Sequence, residues 1–523
     1  MNKISQEEMV ALGLDPKTVA SHQQRIQRHL TNQGSTALTV DDACRIDNGG
    51  IIAFDRLTAI AKRADGPKSL AKIVAFIPAA GAASRYFKPL VPLVTALQAE
   101  DHEGIKQALQ ELADQGATDW ALPPKIKDAL KQNDPAEFAH RHRTELLTDI
   151  DQPKAHQPAV VSGESFLYFK NIEHHALQGL EAQVFVVPAS EAKNFEEQFE
   201  QLGGPKKLPT YFLEQGPNLS TIRFNPDGTP FRDEQGQLSP VPAGHGTLTK
   251  LIPDIHRLQP DADTLFIRNI DNVMGTRPAA LRASETFLRA HSWLLSKVKQ
   301  IRLALRDKMV AEASRAAEDI IEAFPGPTPA GVDEFITAQP EDQRALWRVL
   351  IHVFHTSPSL IAEKQGTISD ALKLLRIFFQ RPVNALGQVP NSGHDVGGTP
   401  VFTRAYGHSF TMCLELPHAS PEDRETFLAN PEKATHFNPV FVATEIVDDH
   451  QVYDIEDSPF WILAKKTIGP HNVVYHETVL YELLGNSMLA NVVFPEIPRE
   501  VFNPHKSLDD SRGRHKNDWL GDG

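Results

Sequence analysis

The chain has 523 residues, 41% hydrophobic and 23% charged, with a formal net charge of -14 at pH 7. That balance describes an ordinary folded protein long enough for more than one domain, and its acidity excludes broad nucleic-acid binding, which needs a basic face. Two cysteines, Cys44 and Cys413, exclude a disulfide framework and a thiolate metal site.

The first residues, "MNKISQEEMVALGLDPKTVA", carry acids early and show no apolar run of signal-peptide length. No segment approaches the ~18 apolar residues of a membrane helix. The expectation is a cytoplasmic protein with no membrane and no nucleic-acid partner. Residues 1–68 read as a helical extension without strands, broken at "DNGGIIAF" (Asp47 to Phe54).

From Ile73 the pattern changes. "IVAFIP" is a short, wholly apolar run closed by Pro and Gly, the signature of a buried parallel strand. Helical spacing follows in "PLVPLVTALQAE" and "GIKQALQELADQ", then "AQVFVVP" (Ala182 to Pro188) reads as a second buried strand. "EAKNFEEQFEQLGG" predicts a helix stopped at Gly203 and Gly204, and "LPTYFLEQ" a third strand. "STIRFNPDGTPFRDEQGQ" predicts a hairpin with turns at "NPDG" and "DEQG", and "DTLFIRNID" (Asp263 to Asp271) a further apolar strand. Strands alternating with helices imply an α/β fold: a Rossmann-like mixed, mostly parallel sheet with helices on both faces.

Residues 297–324 predict one helix with Val298, Ile301, Leu305 and Met309 as its core stripe, and Pro325 to Pro329 a linker. "FTMCLELP", "PVFVATEIV" and "NVVFPEIP" are later strands. Three parts result: 1–68 helical, 69–510 catalytic, including the helical segment 297–324, and 511–523 a tail.

Four segments carry chemistry. In "FIPAAGAASRYFKPL" a strand enters Gly81 among alanines, so backbone N–H groups can approach an anion, with Ser84, Arg85 and Lys88 on the following helix. The same small residues would also serve a plain tight turn. In "VPAGHGTLTKL", Gly244 and Gly246 bracket His245, a loop able to approach a flat ring or simply to turn sharply. In "LFIRNIDNVMG", Asp271 falls at a strand end, where open parallel sheets place ligands; it suits a hard divalent cation or caps the next helix. "EIPREVFNPHKSLDD" brings Arg499, Asn503 and Lys506 into one turn. "DAD" (Asp261 to Asp263) precedes its strand and is discounted as a metal motif, and "VSGESFLYF" lacks the second Gly of a nucleophile elbow. "HRHRTE" and His174–His175 lack a third ligand and read as solvated helix faces.

Taken in order, "PAAGAASR", "PAGHG", "NIDNV" and "IPREVFNPHKS" resemble landmarks of the UDP-sugar pyrophosphorylases, with "VVYHETVLYELLGN" similar to the V-x-x-E-T segment before the last of them. Closer still is the bacterial family known as domain of unknown function 4301, which shares "FIPAAGAASRYFK", "PFRDEQGQ" leading into "PAGHGTL", "FIRNIDNV", "THFNPV" and "FNPHKSLDD". The Gly-rich "NSGHDVGGTPVF" (Asn391 to Phe402) echoes it too.

The resemblance implies a nucleotide-diphospho-sugar transferase (GT-A-like) fold. It also implies a reaction joining a nucleoside triphosphate, UTP favoured, to a sugar-1-phosphate, with release of pyrophosphate and with Mg²⁺ as cofactor. By that resemblance Ala80, Gly81, Ala82, Ser84 and Lys88 hold the nucleotide, with Gly244, His245 and Gly246 on the base. Asp271 binds the metal, Arg85 and Lys506 are catalytic, and Asn438, Arg499 and Asn503 meet the sugar phosphate. The resemblance also asks for a Pro-Lys pair several residues after the loop arginine, whereas this chain has Lys88-Pro89 in reversed order and too early; Thr247 stands where the base loop usually continues with an acid. Within the closer family, Pro390 and Asp395 also depart from the usual residues. A glycosyltransferase of the same fold and a non-catalytic nucleotide or nucleotide-sugar binder are the alternatives.

Overall fold

The computed structural model describes residues 4–31, 38–64, 71–81, 86–324, 332–393, 397–447 and 460–520. Its framework is a mixed α/β fold whose seven-stranded sheet is mostly parallel. In chain order the strands are β1 (Ile73–Pro78), β2 (Leu180–Pro188), β3 (Thr210–Gln215), β4 (Thr264–Arg268), β5 (Val383–Leu386), β6 (Phe441–Glu445) and β7 (Asn491–Val493). The wholly apolar runs expected to be buried strands are so: Ile73 to Ile77 are at most 2% exposed, because a strand covered on both faces has no side left for polar residues.

The chain divides into two compact units. The smaller comprises Ala75–Glu214, Arg268–Glu285 and Pro498–Gly523. It holds β2, β3 and most of β1, ordered β1-β2-β3. Its helix His102–Asp114 shows how sequence fixes an element. Asp101 accepts from the Gly104 N–H at 3.1 Å to cap it, and Ile105, Ala108, Leu109 and Leu112 bury one stripe. One apolar cluster fills this unit, from Ile77 and Phe169 to Val187 and Trp519. The segment expected to be a tail is therefore part of the core: Trp519 is 2% exposed and packs on Phe169 and His505. His174 is also buried, its Nδ1 2.7 Å from Gln183 Oε1, and not on a solvated face.

The larger unit comprises Met1–Val74, Gln215–Ile267 and Thr286–Ile497. It orders its strands β7-β5-β6-β4, with β7 parallel and β6 antiparallel to β5. Residues 1–68 do not stand apart but belong to it, and they include a strand, Thr39–Ala43, paired antiparallel with Thr399–Ala405. The expected hairpin forms, with Ser220–Ile222 paired to Pro240–Pro242 and turns closed by Gly228 N–H to Asn225 O and Gly236 N–H to Asp233 O. The single helix expected over 297–324 is two helices, Pro278–Arg306 and Val310–Ala323. Lys308 adopts φ 61 between them, so Met309 leaves the stripe and is 43% exposed, while Val298, Ile301 and Leu305 stay buried. The expected linker Pro325 to Pro329 lies outside the described residues. Among those described, no helix is long and apolar enough to cross a membrane.

Candidate functional site

In the smaller unit β1 runs into the small-residue loop. The Ala79 N–H still donates to Val186 O at 2.7 Å, after which Ala80 is half-buried and Gly81 exposed. A Cβ built on Gly81 meets no atom of the described residues within 4 Å, so packing against them does not demand glycine there. Ala82, Ser84 and Arg85 lie outside the described residues. Tyr86 and Phe87 then anchor the loop by burial. Lys88 is exposed and opens a short turn, Lys88–Leu90; the helix starts only at Val91, with Pro92 in its first turn. Lys88 therefore does not stand within that helix as expected, because Pro92 suits the first helical turn and sets the start there.

The centre of this unit is a residue the sequence reading passed over. Lys154, 6% exposed, donates from Nζ to Asp271 Oδ2 at 3.1 Å and to the His505 carbonyl at 2.5 Å. The ammonium lies over the faces of Tyr86, at 4.7 Å, and Phe166, at 5.3 Å. Asp271 is the more open partner, its side chain 24% exposed. Pro153-Lys154 is a Pro-Lys pair, but it lies far beyond Arg85, after the helices between Val91 and Asp151, and not several residues on, so the motif did not mark it.

Asp271 itself sits three residues beyond β4, on a turn fixed from beneath. Lys170 Nζ donates to the Asn272 carbonyl, as does Arg268 Nη2 at 2.9 Å. Glu173 lies between these cations, with Oε2 3.2 Å from Lys170 and 3.0 Å from Arg268, while its Oε1 accepts the Met274 and Gly275 N–H groups. All three charged side chains are 0% exposed. Two cations and one carboxylate thus leave a net positive charge beneath the turn. Burial, and Arg268 next to it, push the Lys170 ammonium down to about 7. Helix Phe166–Ala176, which carries Lys170 and Glu173, starts at Ser165, whose hydroxyl accepts from the Tyr168 N–H: an N-cap and not a nucleophile.

The segment 499–506 is stitched to the same turn. The Asn503 N–H donates to Asn272 Oδ1 at 2.8 Å, Asn503 Nδ2 donates to Val273 O at 2.9 Å, and the His505 N–H donates to Asp271 O at 2.8 Å. Asn503 therefore works as a clamp on the backbone. Arg499 is exposed, its guanidinium 5.8 Å from the Phe502 ring. Lys506 is exposed too, its N–H donating to Asp510 Oδ2. His505 is buried against Trp519, and burial, with Lys154 and Arg514 adding positive charge, lowers its imidazole to about 4. The structure thus brings Asp271, Asn503 and the backbone beside Lys506 together, and adds Lys154, Lys170, Glu173 and Arg268.

The larger unit holds the PAGHG loop. Gly244 has φ 87, and a Cβ there would stand 2.3 Å from Thr478 O; on Gly246 it would stand 2.7 Å from Thr478 Oγ1. The Gly246 N–H donates to Thr478 O and the Thr478 N–H donates to Ala243 O, both at 2.9 Å. Close approach of the Glu477–Thr478 segment is thus what requires these glycines. His245, half-buried, meets the Tyr481 ring edge-on at 5.7 Å, and burial lowers it to about 4. Asn438 is 0% exposed; its Nδ2 donates to Gly387 O and its Oδ1 accepts the Val440 N–H. An amide so occupied holds two strand ends and has no surface for a substrate. Asp261 pairs with Lys72 at 2.9 Å, and Asp263 with Lys299, which disposes of "DAD" as a metal motif. Among the described residues no three His, Cys, Asp or Glu side chains group as metal ligands.

The family profile described as "Domain of unknown function (DUF4301)" matches residues 6–150 and 179–322, more than half of the chain, and the chain belongs to that family. No curated protein matched the sequence. Among solved structures, the chain is similar to a UDP-glucose phosphorylase from Trypanosoma brucei at 13% identity, covering 97% of this chain and 76% of that one with a TM-score of 0.49. It is similar to a UDP-glucose pyrophosphorylase mutant from Leishmania major at 12% identity, covering 97% and 79% with a TM-score of 0.48. It is likewise similar to the uridine diphosphate N-acetylglucosamine pyrophosphorylase of Trypanosoma brucei at 10% identity, with 97% and 79% covered and a TM-score of 0.49.

Proposed function

We propose that this protein is a nucleotidyltransferase that joins a nucleoside triphosphate, UTP favoured, to a sugar-1-phosphate, giving a nucleotide-sugar and pyrophosphate. The observation that carries the reading is the pair Lys154 and Asp271, 3.1 Å apart, a cation for phosphate beside a carboxylate, in the unit that carries the Gly81 loop. In such a transfer a phosphate oxygen of the sugar phosphate attacks the α-phosphorus in line and pyrophosphate leaves, so the protein's work is positioning and charge neutralisation.

In this reading the open backbone at Ala80 and Gly81 receives the phosphates, and Lys154 and Lys506 neutralise them. Arg85 keeps the role the resemblance implies, on the leaving pyrophosphate. The buried network under Asn272 fixes where Asp271 stands. Mg²⁺ keeps most of its shell as water and phosphate oxygen and needs only one or two carboxylates. Asp271 alone therefore fits an ion that arrives with the triphosphate, and that ion would supply further neutralisation of phosphate charge.

Incubating the full chain with a panel of triphosphates and sugar-1-phosphates plus Mg²⁺ should release pyrophosphate, fastest with UTP. Absence of release with every pair would overturn the catalytic reading. Thermal protection by UTP or UDP-sugars in that case would favour a nucleotide-sugar binder without turnover.

A further inference from the structure

We infer that a groove in the larger unit is a binding site for a phosphorylated sugar or a polyol phosphate of similar size, a role independent of the transfer reaction proposed above. The groove has a volume of about 1040 Å³, the scale of a small-molecule site. Three kinds of group line it, and together they select one chemistry.

The first is an aromatic wall. Trp461 stacks on His476 at 4.8 Å and 14°, and His476 stacks on His22 at 3.8 Å and 7°. His22 and His476 are 3% and 1% exposed, so the indole is backed by buried rings and held in one orientation. A rigid, half-buried indole bordering a polar groove offers contact area to the C–H face of a sugar ring at little entropic cost.

The second is a set of acceptors. Glu415 and Glu477 border the groove. Glu415 already accepts from the Tyr481 hydroxyl, and the neighbouring His418 is ion-paired with the buried Glu482 at 2.5 Å. Glu415, fixed in this way, and Glu477 beside the same groove can accept hydrogen bonds from hydroxyl groups, and they would repel a bare anion placed beside them.

The third is a cationic rim. Arg25, Arg28, Arg424 and Lys465 border the same groove, in a protein whose net charge is -14. The side chains of Arg28 and Lys465 are exposed and make neither a hydrogen bond nor an ion pair among the described residues. A rim of this sign suits a phosphate, which guanidinium and ammonium groups bind by charge-assisted hydrogen bonds. A neutral sugar would leave the cations unused, and inorganic phosphate would leave the indole and the carboxylates unused.

The test is calorimetric titration of the full chain with glucose-6-phosphate as the probe, with glucose and inorganic phosphate alongside. Saturable binding of glucose-6-phosphate is expected, with glucose and phosphate each much weaker. The double variant Arg28→Ala/Lys465→Ala removes only exposed cations and should weaken binding by about tenfold or more. Trp461→Leu should weaken it several-fold. No saturable binding overturns the proposal, as does binding that survives both groove variants. Phosphate binding as tightly as glucose-6-phosphate would reduce the groove to an anion site and also overturns it. None of these readouts requires pyrophosphate release, so this proposal and the transferase reading fail separately.

Discussion

Lys154 Nζ stands 3.1 Å from Asp271 Oδ2 and 2.5 Å from the carbonyl oxygen of His505, so one buried ammonium ties together three segments distant in sequence. The pair is asymmetric: the cation is 6% exposed, whereas the side chain of its carboxylate partner is 24% exposed. A buried ammonium needs a counter-charge, and here the counter-charge is the group that reaches water. An incoming phosphate could take over part of that role without the cation moving from its seat over Tyr86 and Phe166.

Lys154→Met keeps the length of the side chain and removes the charge. If the transferase reading holds, pyrophosphate release should fall at least about 10²-fold. Stability should fall by only about 1–2 kcal/mol, because Asp271 can regain water. Asp271→Asn leaves the buried ammonium without its counter-charge, so its stability loss should be larger, and its Mg²⁺ requirement should rise. Pyrophosphate release across a Mg²⁺ series and urea denaturation check both variants.

The Lys170–Glu173–Arg268 cluster predicts two opposite outcomes. Glu173→Gln strips the carboxylate from between two buried cations and should cost about 3–5 kcal/mol. Lys170→Met replaces a desolvated ammonium with an apolar chain of similar length, and should be close to neutral near pH 7. The lysine also sets a pH dependence. Its folded value, about 7, lies below the unfolded value near 10.4, so between these pH values the unfolded chain binds the extra proton. Stability from this group therefore rises with pH across that window, by at most about 1.4 kcal/mol per unit. Lys170→Met should abolish that part of the slope in denaturant titrations at pH 7 and 9.

Much of the framework was legible. The apolar runs at 73–78, 182–188 and 264–268 read as buried strands because nothing in them could face water. Thr39–Ala43 was missed because "TVDDA" looks like an acidic turn. It is a sheet-edge strand whose aspartates turn outward, Asp41 to Arg404 and Asp42 to Arg45. The helix break at Lys308 carried no Gly or Pro to announce it. Asp271 and the segment 499–506 were found by motif, yet the groups that hold them were not. Lys170 and Glu173 have the spacing of an exposed i, i+3 pair, and only the partners Arg268 and Asn272, a hundred residues away, bury them. For the PAGHG loop the sequence showed that glycine mattered; the structure supplies the reason, which is Thr478.

Three histidines of the smaller unit predict sensitivity to acid. Burial lowers His156 to about 4, His174 to about 3 and His505 to about 4. An unfolded histidine titrates near 6.5, so from there down to about 4 the unfolded chain binds more protons than the folded one. Stability from these groups is present above the unfolded value and falls on acidification, by about 1–2 kcal/mol for each between pH 7 and 5. Urea denaturation at both pH values, followed by the fluorescence of Trp519 and Trp120, checks it. A stability unchanged at pH 5 would mean that these imidazoles stay accessible to protons in the folded state.

The glycines offer the sharpest separation of structure from function. Gly244→Ala places a Cβ 2.3 Å from Thr478 O at a φ of 87, so it should destabilise the larger unit by at least about 2 kcal/mol and displace the loop around His245. Gly81→Ala meets nothing within 4 Å, and its backbone is not left-handed. That variant should lie within about 0.5 kcal/mol of the parent in stability, because no described residue stands where the methyl group would go. If phosphates approach the backbone at Gly81, the variant should bind UTP at least about tenfold more weakly in calorimetric titration, a difference of 1.4 kcal/mol. Equal affinity for parent and variant would leave this loop a connection between β1 and the turn at Lys88, and the phosphate site would have to be sought at Lys154 and Lys506 alone.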